Sequence, residues 1–358
     1  MKTIDLSELK TKFLQDCKIL DVRAPLEFAQ GALPNSVNLP VLDDAERALV
    51  GTCYKNSGQE KAIELGHRLV SGENKQQKIL AWKNFIHEHP HAVMTCFRGG
   101  LRSRISQQFL LEAGIDIPRI QHGYKEVRQF FTDELNSYAE SCQLRVLTGN
   151  TGSGKTKIVR EASGFYPAVD LENLAQHRGS AFGAMKNPQP AQATFENHLC
   201  HEIIKLLSTP VQTPILFEDE SRLIGRVHLP EKFFDKLRLS AVIKMNIPLE
   251  TRIGNIFEDY IYPEAAIFQK YIDATNRISK KLGGVRSQEL LADLKYSQTQ
   301  FSELGLLDSN RIWIEKLLVW YYDPMYTYSL NTRNPKIEFE GSDRETIEYL
   351  RRKTESKN

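Results

Sequence analysis

One octapeptide constrains the fold of this chain more than any other feature. Gly149-Asn-Thr-Gly-Ser-Gly-Lys-Thr156 fits the pattern GxxxxGK[ST], follows the apolar run Leu144–Thr148 and precedes a helical pattern reaching about Ala162. In such a turn successive backbone N–H groups cradle phosphate oxygens, the lysine adds a point charge, and the final hydroxyl can ligate Mg²⁺. A strand before the loop and a helix after it predict a parallel α/β domain. The phosphate- or diphosphate-binding set read from the motif is Gly149, Gly152, Ser153, Gly154, Lys155 and Thr156.

Two downstream segments extend this site. Pro214-Ile-Leu-Phe-Glu218-Asp219-Glu220 reads as a partner strand ending in carboxylates, with Asp219 the expected metal-side residue beside Thr156 if Mg²⁺ binds. Asp170-Leu-Glu172-Asn-Leu-Ala-Gln-His177-Arg178-Gly179-Ser180-Ala-Phe-Gly183 reads as a strand-end carboxylate followed by a polar turn, with Arg178 the ligand and His177 a structural residue. Arg222 and Arg226 follow at helical spacing. The motif alone leaves ATP, GTP and other diphosphates open, and nothing resembles a guanine-specificity motif.

At roughly 150 residues per domain, 358 residues predict two or three domains. With 41% hydrophobic and 26% charged residues, a packed core is expected and wholesale disorder is excluded. A second strand–loop–helix unit, Ala92–Phe97, Arg98–Arg104 and a helix through Leu111, precedes the phosphate loop, and the polar stretch Thr132–Cys142 reads as the joint. Further strands are expected at Ile19–Val22, Ala168–Leu171, Ile215–Phe217 and Ala241–Met245, alternating with helices in both halves. After Pro263 the pattern is mainly helical (Glu264–Leu282, Ser287–Leu304, Asn310–Tyr321), then a strand at Ile337–Glu340 and a helix from Asp343. The predicted domains are 1–135, 143–262 and 263–358, the last mainly helical and continuous with the second or separate from it. The longest stretch free of Asp, Glu, Lys and Arg, Phe28–Leu42, falls short of the roughly 20 apolar residues of a membrane span. No secretory signal is visible in MKTIDLSELK. Five scattered cysteines without a CxxC pair argue against a disulfide framework and a cysteine zinc site, and for a cytoplasmic setting with no membrane partner. A net charge of +2 leaves any polyanion to local patches.

Cys96 lies in one such patch. It precedes Phe97-Arg98-Gly99-Gly100-Leu101-Arg102-Ser103, where backbone N–H groups and the guanidiniums of Arg98, Arg102 and Arg104 would favour a reactive thiolate and hold an oxyanion beside the sulfur. Cys96, Arg98 and Arg102 are the expected catalytic residues; Cys17, Cys53, Cys142 and Cys200 read as packing. Asp21-Val-Arg-Ala-Pro-Leu-Glu27-Phe-Ala-Gln-Gly31-Ala-Leu-Pro-Asn-Ser-Val-Asn38-Leu-Pro40 resembles the opening signature of rhodanese-type sulfurtransferase domains, and Gly123-Tyr124 their closing motif. Cys96 then falls where that family forms a persulfide. The loop from Cys96 to Arg102 has seven members where ordinary rhodaneses have six, the count found in related cell-cycle phosphatases, whose loop holds a phosphate. Thr95 stands where those phosphatases have histidine, no general acid is obvious nearby, and Val41–Pro90 is long enough to add helices.

Together, CFRGGLRS, GNTGSGKT, DLENLAQHRGSAFG and Tyr321-Tyr-Asp-Pro-Met-Tyr326 resemble the bacterial tRNA 2-selenouridine synthase family over nearly the whole chain. That resemblance implies exchange of sulfur for selenium at the wobble 2-thiouridine of lysine, glutamate and glutamine tRNAs. It also implies an S-geranyl intermediate, geranyl diphosphate and selenophosphate as co-substrates, no tightly bound cofactor, and selenophosphate synthase as a partner. Lys270, Arg277, Lys280, Lys281 and Arg286 against the single acid Asp273 form a candidate tRNA stripe, with Arg277, Lys280 and Lys281 the expected contacts, or an ordinary solvated helix face. The aromatic run Trp320–Tyr326 offers base stacking or, at helical spacing, core. Three other readings stay open: a persulfide sulfurtransferase coupled to a P-loop NTPase, a phosphatase-like enzyme, and a regulatory or nucleic-acid-binding module with an inactive cysteine domain.

Overall fold

The computed structural model describes residues 1–183, 185, 187–208 and 213–355. The chain divides into two compact units, Met1–Leu135 with Pro190–Thr209, and Asn136–Gln189 with Pro210–Asn358.

The first unit is a parallel sheet of β1 (Thr3–Ile4), β2 (Ile19–Asp21), β3 (Ser36–Asn38), β4 (Val93–Thr95) and β5 (Arg119–Ile120), in the order β1-β5-β4-β2-β3. Every residue of β2 and β4 is buried, as befits strands covered on both faces. Leu20, Met94, Trp82, Phe109 and Leu110 form the core against flanking helices. Asp21 lies opposite Thr95, so the C-terminal end of β2 sits beside the residue preceding Cys96. The expected extra segment forms two helices, Asp44–Leu69 and Gly72–Glu88. Asp43 and Glu46 start the first with a reciprocal capping box, at 2.7 and 2.9 Å. It breaks at Gly58 (φ 80°, ψ −178°) and buries only Ala62.

Between two strands of the other sheet in sequence, the helix Gln192–Leu207 packs in this first unit. Phe195, Leu199, Cys200 and Ile203 are buried along one face. Thr194 Oγ1 accepts from the Ala32 N–H at 2.9 Å, Asn197 Nδ2 donates to the Ala32 carbonyl at 2.7 Å, and Glu196 pairs with Arg128. The expected span 143–262 therefore does not describe one packed body.

In the second unit β6 (Leu144–Thr148), β7 (Ala168–Val169), β8 (Ile215–Glu218), β11 (Ala241–Met245) and β12 (Ile337–Gly341) form a parallel sheet ordered β12-β11-β6-β8-β7, while β9 (Leu223–Ile224) and β10 (Val227–His228) form an antiparallel hairpin. Helices Ala266–Leu282, Gly284–Leu304 and Asn310–Leu317 pack with Leu249–Tyr260 around Phe268, Tyr271, Leu294, Trp313 and Ile314. The helix Asp343–Glu355 returns Ile347 and Leu350 to the sheet core beside Ile158 and Val159.

Parallel α/β sheets in both halves and a helical C-terminal extension match the sequence expectation. The boundary between the units, Leu135/Asn136, falls within the expected joint Thr132–Cys142. That joint lies inside the helix Gly123–Ser141, because Val127, Phe131, Leu135 and Tyr138 recur at helical spacing on a buried face. Two local expectations do not hold. Arg222 and Arg226 flank a hairpin strand, with Gly225 supplying the left-handed turn residue (φ 65°). The helix expected through Tyr321 gives way to a wide π-helical turn at Leu318–Tyr322, followed by a helix at Asp323–Arg333; Pro324, with no N–H to donate, sits in its first turn. Among the described residues no helix is long and apolar enough to cross a membrane.

Truncating Phe195, fully buried on the inserted helix, is expected to cost roughly 3–5 kcal/mol. Hydrogen exchange of Phe195→Ala should rise in β2 and β4 while β6 and β8 stay protected; the reverse pattern would contradict the assignment of this helix to the first unit.

Candidate functional site

β6 delivers the phosphate loop at its C-terminal end. Gly152 takes φ 81°, and a Cβ there would meet the Arg252 carbonyl at 2.8 Å, so the loop tolerates no side chain at that point. Asn255 Nδ2 donates to the Gly152 carbonyl at 2.8 Å, Arg252 Nη1 to the Thr151 carbonyl at 3.2 Å, and Asn150 Nδ2 to Asp323 at 2.7 Å. Asp323 in turn holds Arg252 bidentately at 2.8 and 2.9 Å. The loop backbone is thus fixed by side chains from two helices before any ligand arrives. Lys155 Nζ donates to the Gly149 carbonyl at 2.9 Å. Gly149, Gly152, Gly154, Lys155, Thr156, Arg178 and Asp219 line a cavity of about 660 Å³; Ser153 is buried beneath the loop and does not reach its wall.

The carboxylates in this cavity are arranged differently from the sequence expectation. Thr156 Oγ1 lies 2.7 Å from Glu218 Oε2 and 2.9 Å from Glu172 Oε2. One oxygen each of Glu172, Glu218 and Glu220 lies within 4.8 Å of the others. Asp219, expected beside Thr156, is instead held bidentately by Arg333, both contacts 2.8 Å, and by Thr148. Asp219 follows the last residue of β8 and meets Thr148 and Arg333, while Glu218, at the end of the strand, meets Thr156. Burial drives the Glu218 carboxyl well above the usual range, reinforced by Glu172, Asp170 and Glu220; burial likewise raises Glu172, and burial with Glu172 pushes Glu220 up to about 8. Glu218 Oε1 is buried without a hydrogen-bond partner among the described residues. Three crowded carboxylates, one with an orphaned oxygen, beside a loop threonine form a donor set that suits a hard divalent cation.

Arg178 stays in the cavity, its guanidinium 4.7 Å from the Tyr260 ring centre and bonded to the Asp259 carbonyl. Arg222 also lines it, whereas Arg226 bonds Gln189 and does not. His177 is half-buried, is not part of this lining, and its Nδ1 is buried without a hydrogen-bond partner among the described residues. The same cavity also has apolar lining, from Phe182, Ile256, Trp313, Ile314, Leu317 and Leu318, together with Tyr322 and Tyr326. Sequence reasoning found no apolar groove, because these residues lie on three separated segments.

The first unit carries the second site. Cys96 is 2% exposed, and its Sγ donates to Ser103 Oγ at 3.2 Å. Gly99 (φ 61°) turns the loop where a Cβ would lie 1.9 Å from the Gln121 carbonyl oxygen. Arg23, Arg47, Arg98 and Arg102 line the cavity together with Cys96, Tyr54, Phe97 and Tyr124. Arg104, expected to join them, is exposed and not part of this wall. Arg23 is instead supplied from β2's end, paired with Asp21 at 2.7 Å and stacked 3.8 Å from the Tyr124 ring centre. The acid that sequence reasoning missed is Glu27, which holds Arg102 through both oxygens and lies 3.6 Å from Arg47. Burial would raise its carboxyl, but Arg102, together with the Ala24 N–H and Arg47, outweighs burial and holds it below the ordinary range. Its place in the opening signature was the available signal.

Of the basic stripe, Lys270, Arg277, Lys280, Lys281 and Arg286 are all exposed; Arg277 bonds the Ala181 carbonyl at 2.9 Å and Arg286 lies 5.7 Å from the Trp320 ring centre. The aromatic run divides: Tyr321 is core, while Tyr322 and Tyr326 face the cavity.

A cysteine loop on one parallel sheet and a phosphate loop on another define a rhodanese-like module joined to a P-loop module. Residues 5–129 match the rhodanese-like domain model, and residues 142–357 match that of the tRNA 2-selenouridine synthase AAA domain. Proteins named tRNA 2-selenouridine synthase are 46% identical in Nitrosomonas europaea (97% of this chain, 98% of that one), 44% in Bdellovibrio bacteriovorus (98% of each) and 43% in Marinobacter nauticus (98% of each). The chain belongs to the tRNA 2-selenouridine synthase family.

Glu220 binds a proton in the folded state that the unfolded chain releases above roughly pH 4.3. Stability of the second unit should therefore fall as pH rises from about 5 to about 8 and then level off. Thermal melts should show this decline weakened in Glu220→Gln, and Mg²⁺ should raise the wild-type midpoint more at pH 8.5 than at pH 5.5. A midpoint independent of pH and Mg²⁺ would refute the reading of the carboxylate cluster.

Proposed function

We propose that this chain is a tRNA-modifying transferase that replaces sulfur by selenium in 2-thiouridine in two steps, one in each cavity. The observation that carries the reading is that Phe182, Trp313, Ile314, Leu317 and Leu318 line the same cavity as the phosphate loop. A prenyl diphosphate needs a diphosphate cradle and an apolar trough in one cavity, and this cavity offers both. In the first step the thiouridine sulfur attacks C1 of geranyl diphosphate, the C1–O bond breaks, diphosphate departs and the N3 proton is lost. Backbone N–H groups of the loop, Lys155 and Arg178 stabilise the charge that develops on the leaving diphosphate. Bound by Thr156, Glu172, Glu218 and Glu220, a magnesium ion would add positive charge there.

Alkylation converts a poor leaving group into one that departs as a neutral thiol. In the second step selenium of selenophosphate attacks C2, geranylthiol leaves with a proton, and water cleaves the Se–P bond to release phosphate. The seven-member loop, with Arg98, Arg102 and its backbone N–H groups, holds the phosphorus-centred anion beside Cys96. Glu27, bound through both oxygens to Arg102, offers that loop no unengaged carboxyl as a general acid. Exposed Arg277, Lys280 and Lys281 are assigned to tRNA phosphates.

The test is nucleoside mass analysis after incubation of 2-thiouridine tRNA with geranyl diphosphate and selenophosphate. Wild type should yield selenouridine. Cys96→Ala should accumulate the S-geranyl nucleoside, and Lys155→Ala should leave thiouridine largely unchanged. Unaltered thiouridine with wild type, or tRNA-stimulated ATP hydrolysis, would replace this scheme with persulfide transfer coupled to an NTPase.

A further inference from the structure

The helix Asp44–Leu69 is long yet contributes little to the core. Of its 26 residues only Ala62 is buried, and Gly58 interrupts it with φ 80°. What the part before Gly58 does supply is two side chains to the Cys96 cavity, Arg47 and Tyr54. Seven residues apart, they lie two turns from each other on one face. Arg47 is tethered only loosely, 3.6 Å from Glu27, and its side chain is 54% exposed. Tyr54 is 56% exposed although it borders a cavity whose floor, Cys96, is 2% exposed.

Three aromatic rings line this cavity, and two of them are engaged. Tyr124 stacks on the Arg23 guanidinium at 3.8 Å, and Phe97 lies 6.2 Å from Tyr124 with the planes 26° apart. Tyr54 stands at the open side with four arginines and one carboxylate in the same lining. A pyrimidine held in an RNA strand reaches a buried sulfur only when swung out of its stack. It then needs an aromatic face to replace its lost neighbours and a cation for the adjacent phosphate.

We propose that Tyr54 stacks on the extruded pyrimidine base in the Cys96 cavity and that Arg47 binds the phosphate beside it. The helix before Gly58 is thus a recognition element for a flipped nucleotide in single-stranded RNA. The proposal rests on the two-step reading above and concerns only its second step. Both residues are positioning residues: they hold the base against the cysteine loop and take no part in bond changes.

The test starts from an anticodon stem-loop already carrying S-geranyl-2-thiouridine, with selenophosphate in excess, so that the phosphate-loop cavity is not needed. Tyr54→Ala should raise KM for the stem-loop about 10- to 100-fold with kcat changed far less. Tyr54→Phe and Tyr54→Trp should stay within a few-fold of wild type, as should the neighbouring exposed control Leu49→Ala. Added fluorescence of the Tyr54→Trp variant over wild type should be quenched by the stem-loop and not by one that is abasic at the modified position. A Tyr54→Ala enzyme with the wild-type KM, or equal quenching by the abasic stem-loop, would overturn the proposal. Should wild type form no selenouridine while base-dependent quenching persists, base stacking stands and the selenium-transfer reading falls.

Discussion

The ion pair between Arg252 and Asp323 is the contact on which the second unit's chemistry hangs. Arg252 is 7% exposed on its side chain and joined bidentately to a carboxylate that also receives Asn150. A buried guanidinium deprived of its partner is costly, by about 3–5 kcal/mol for pairs of this kind. Here the pair does more than resist unfolding. It ties together the phosphate-loop backbone, the helix Leu249–Tyr260 and the helix that begins at Asp323, whose preceding turn supplies Leu318 and Tyr322 to the apolar wall. The ion pair therefore joins the phosphate loop to the segment that lines the apolar part of the same cavity.

The two cavities solve opposite electrostatic problems. Around Cys96 four arginines line the cavity, of which Arg23 is paired with Asp21 and Arg102 with Glu27, so the lining keeps an excess of positive charge that favours an anion. Beside Thr156 three carboxylates crowd together, and the folded state carries that strain as raised proton affinity. An anion approaching the phosphate loop would meet that negative charge unless protons or a cation offset it. The charge of the lining favours an anion in the first cavity without further change, and in the second only once the carboxylates are offset.

Much of the fold could be read from the chain because its signals were local. Both loops sit at strand ends, and the strands β6 and β11 fall where their apolar runs place them. What escaped was whatever depended on partners distant in sequence. Glu27 gains its role only by meeting Arg102, 75 positions away. Asp219 was chosen over Glu218 because a motif gives an order of residues but not which face each occupies. Asp323 was visible as part of a recognisable string, yet its function as a buckle for the phosphate loop required the fold. The helix Gln192–Leu207 lies within the expected span 143–262 yet packs in the first unit, because sequence adjacency to β8 says nothing about which apolar surface a helix covers.

That helix has a further consequence. The backbone leaves the first unit, contributes β6 and β7 to the second, comes back to lay Phe195 and Leu199 into the first, and then departs again to form β8. The modules are interleaved rather than strung in series, so no single cut in the chain yields two whole parts. A lineage that lost or exchanged its cysteine module by one recombination event would leave an orphan helix on one side and a bare apolar groove on the other. Such an architecture resists being shuffled, and it ties the cysteine loop and the phosphate loop into a common inheritance.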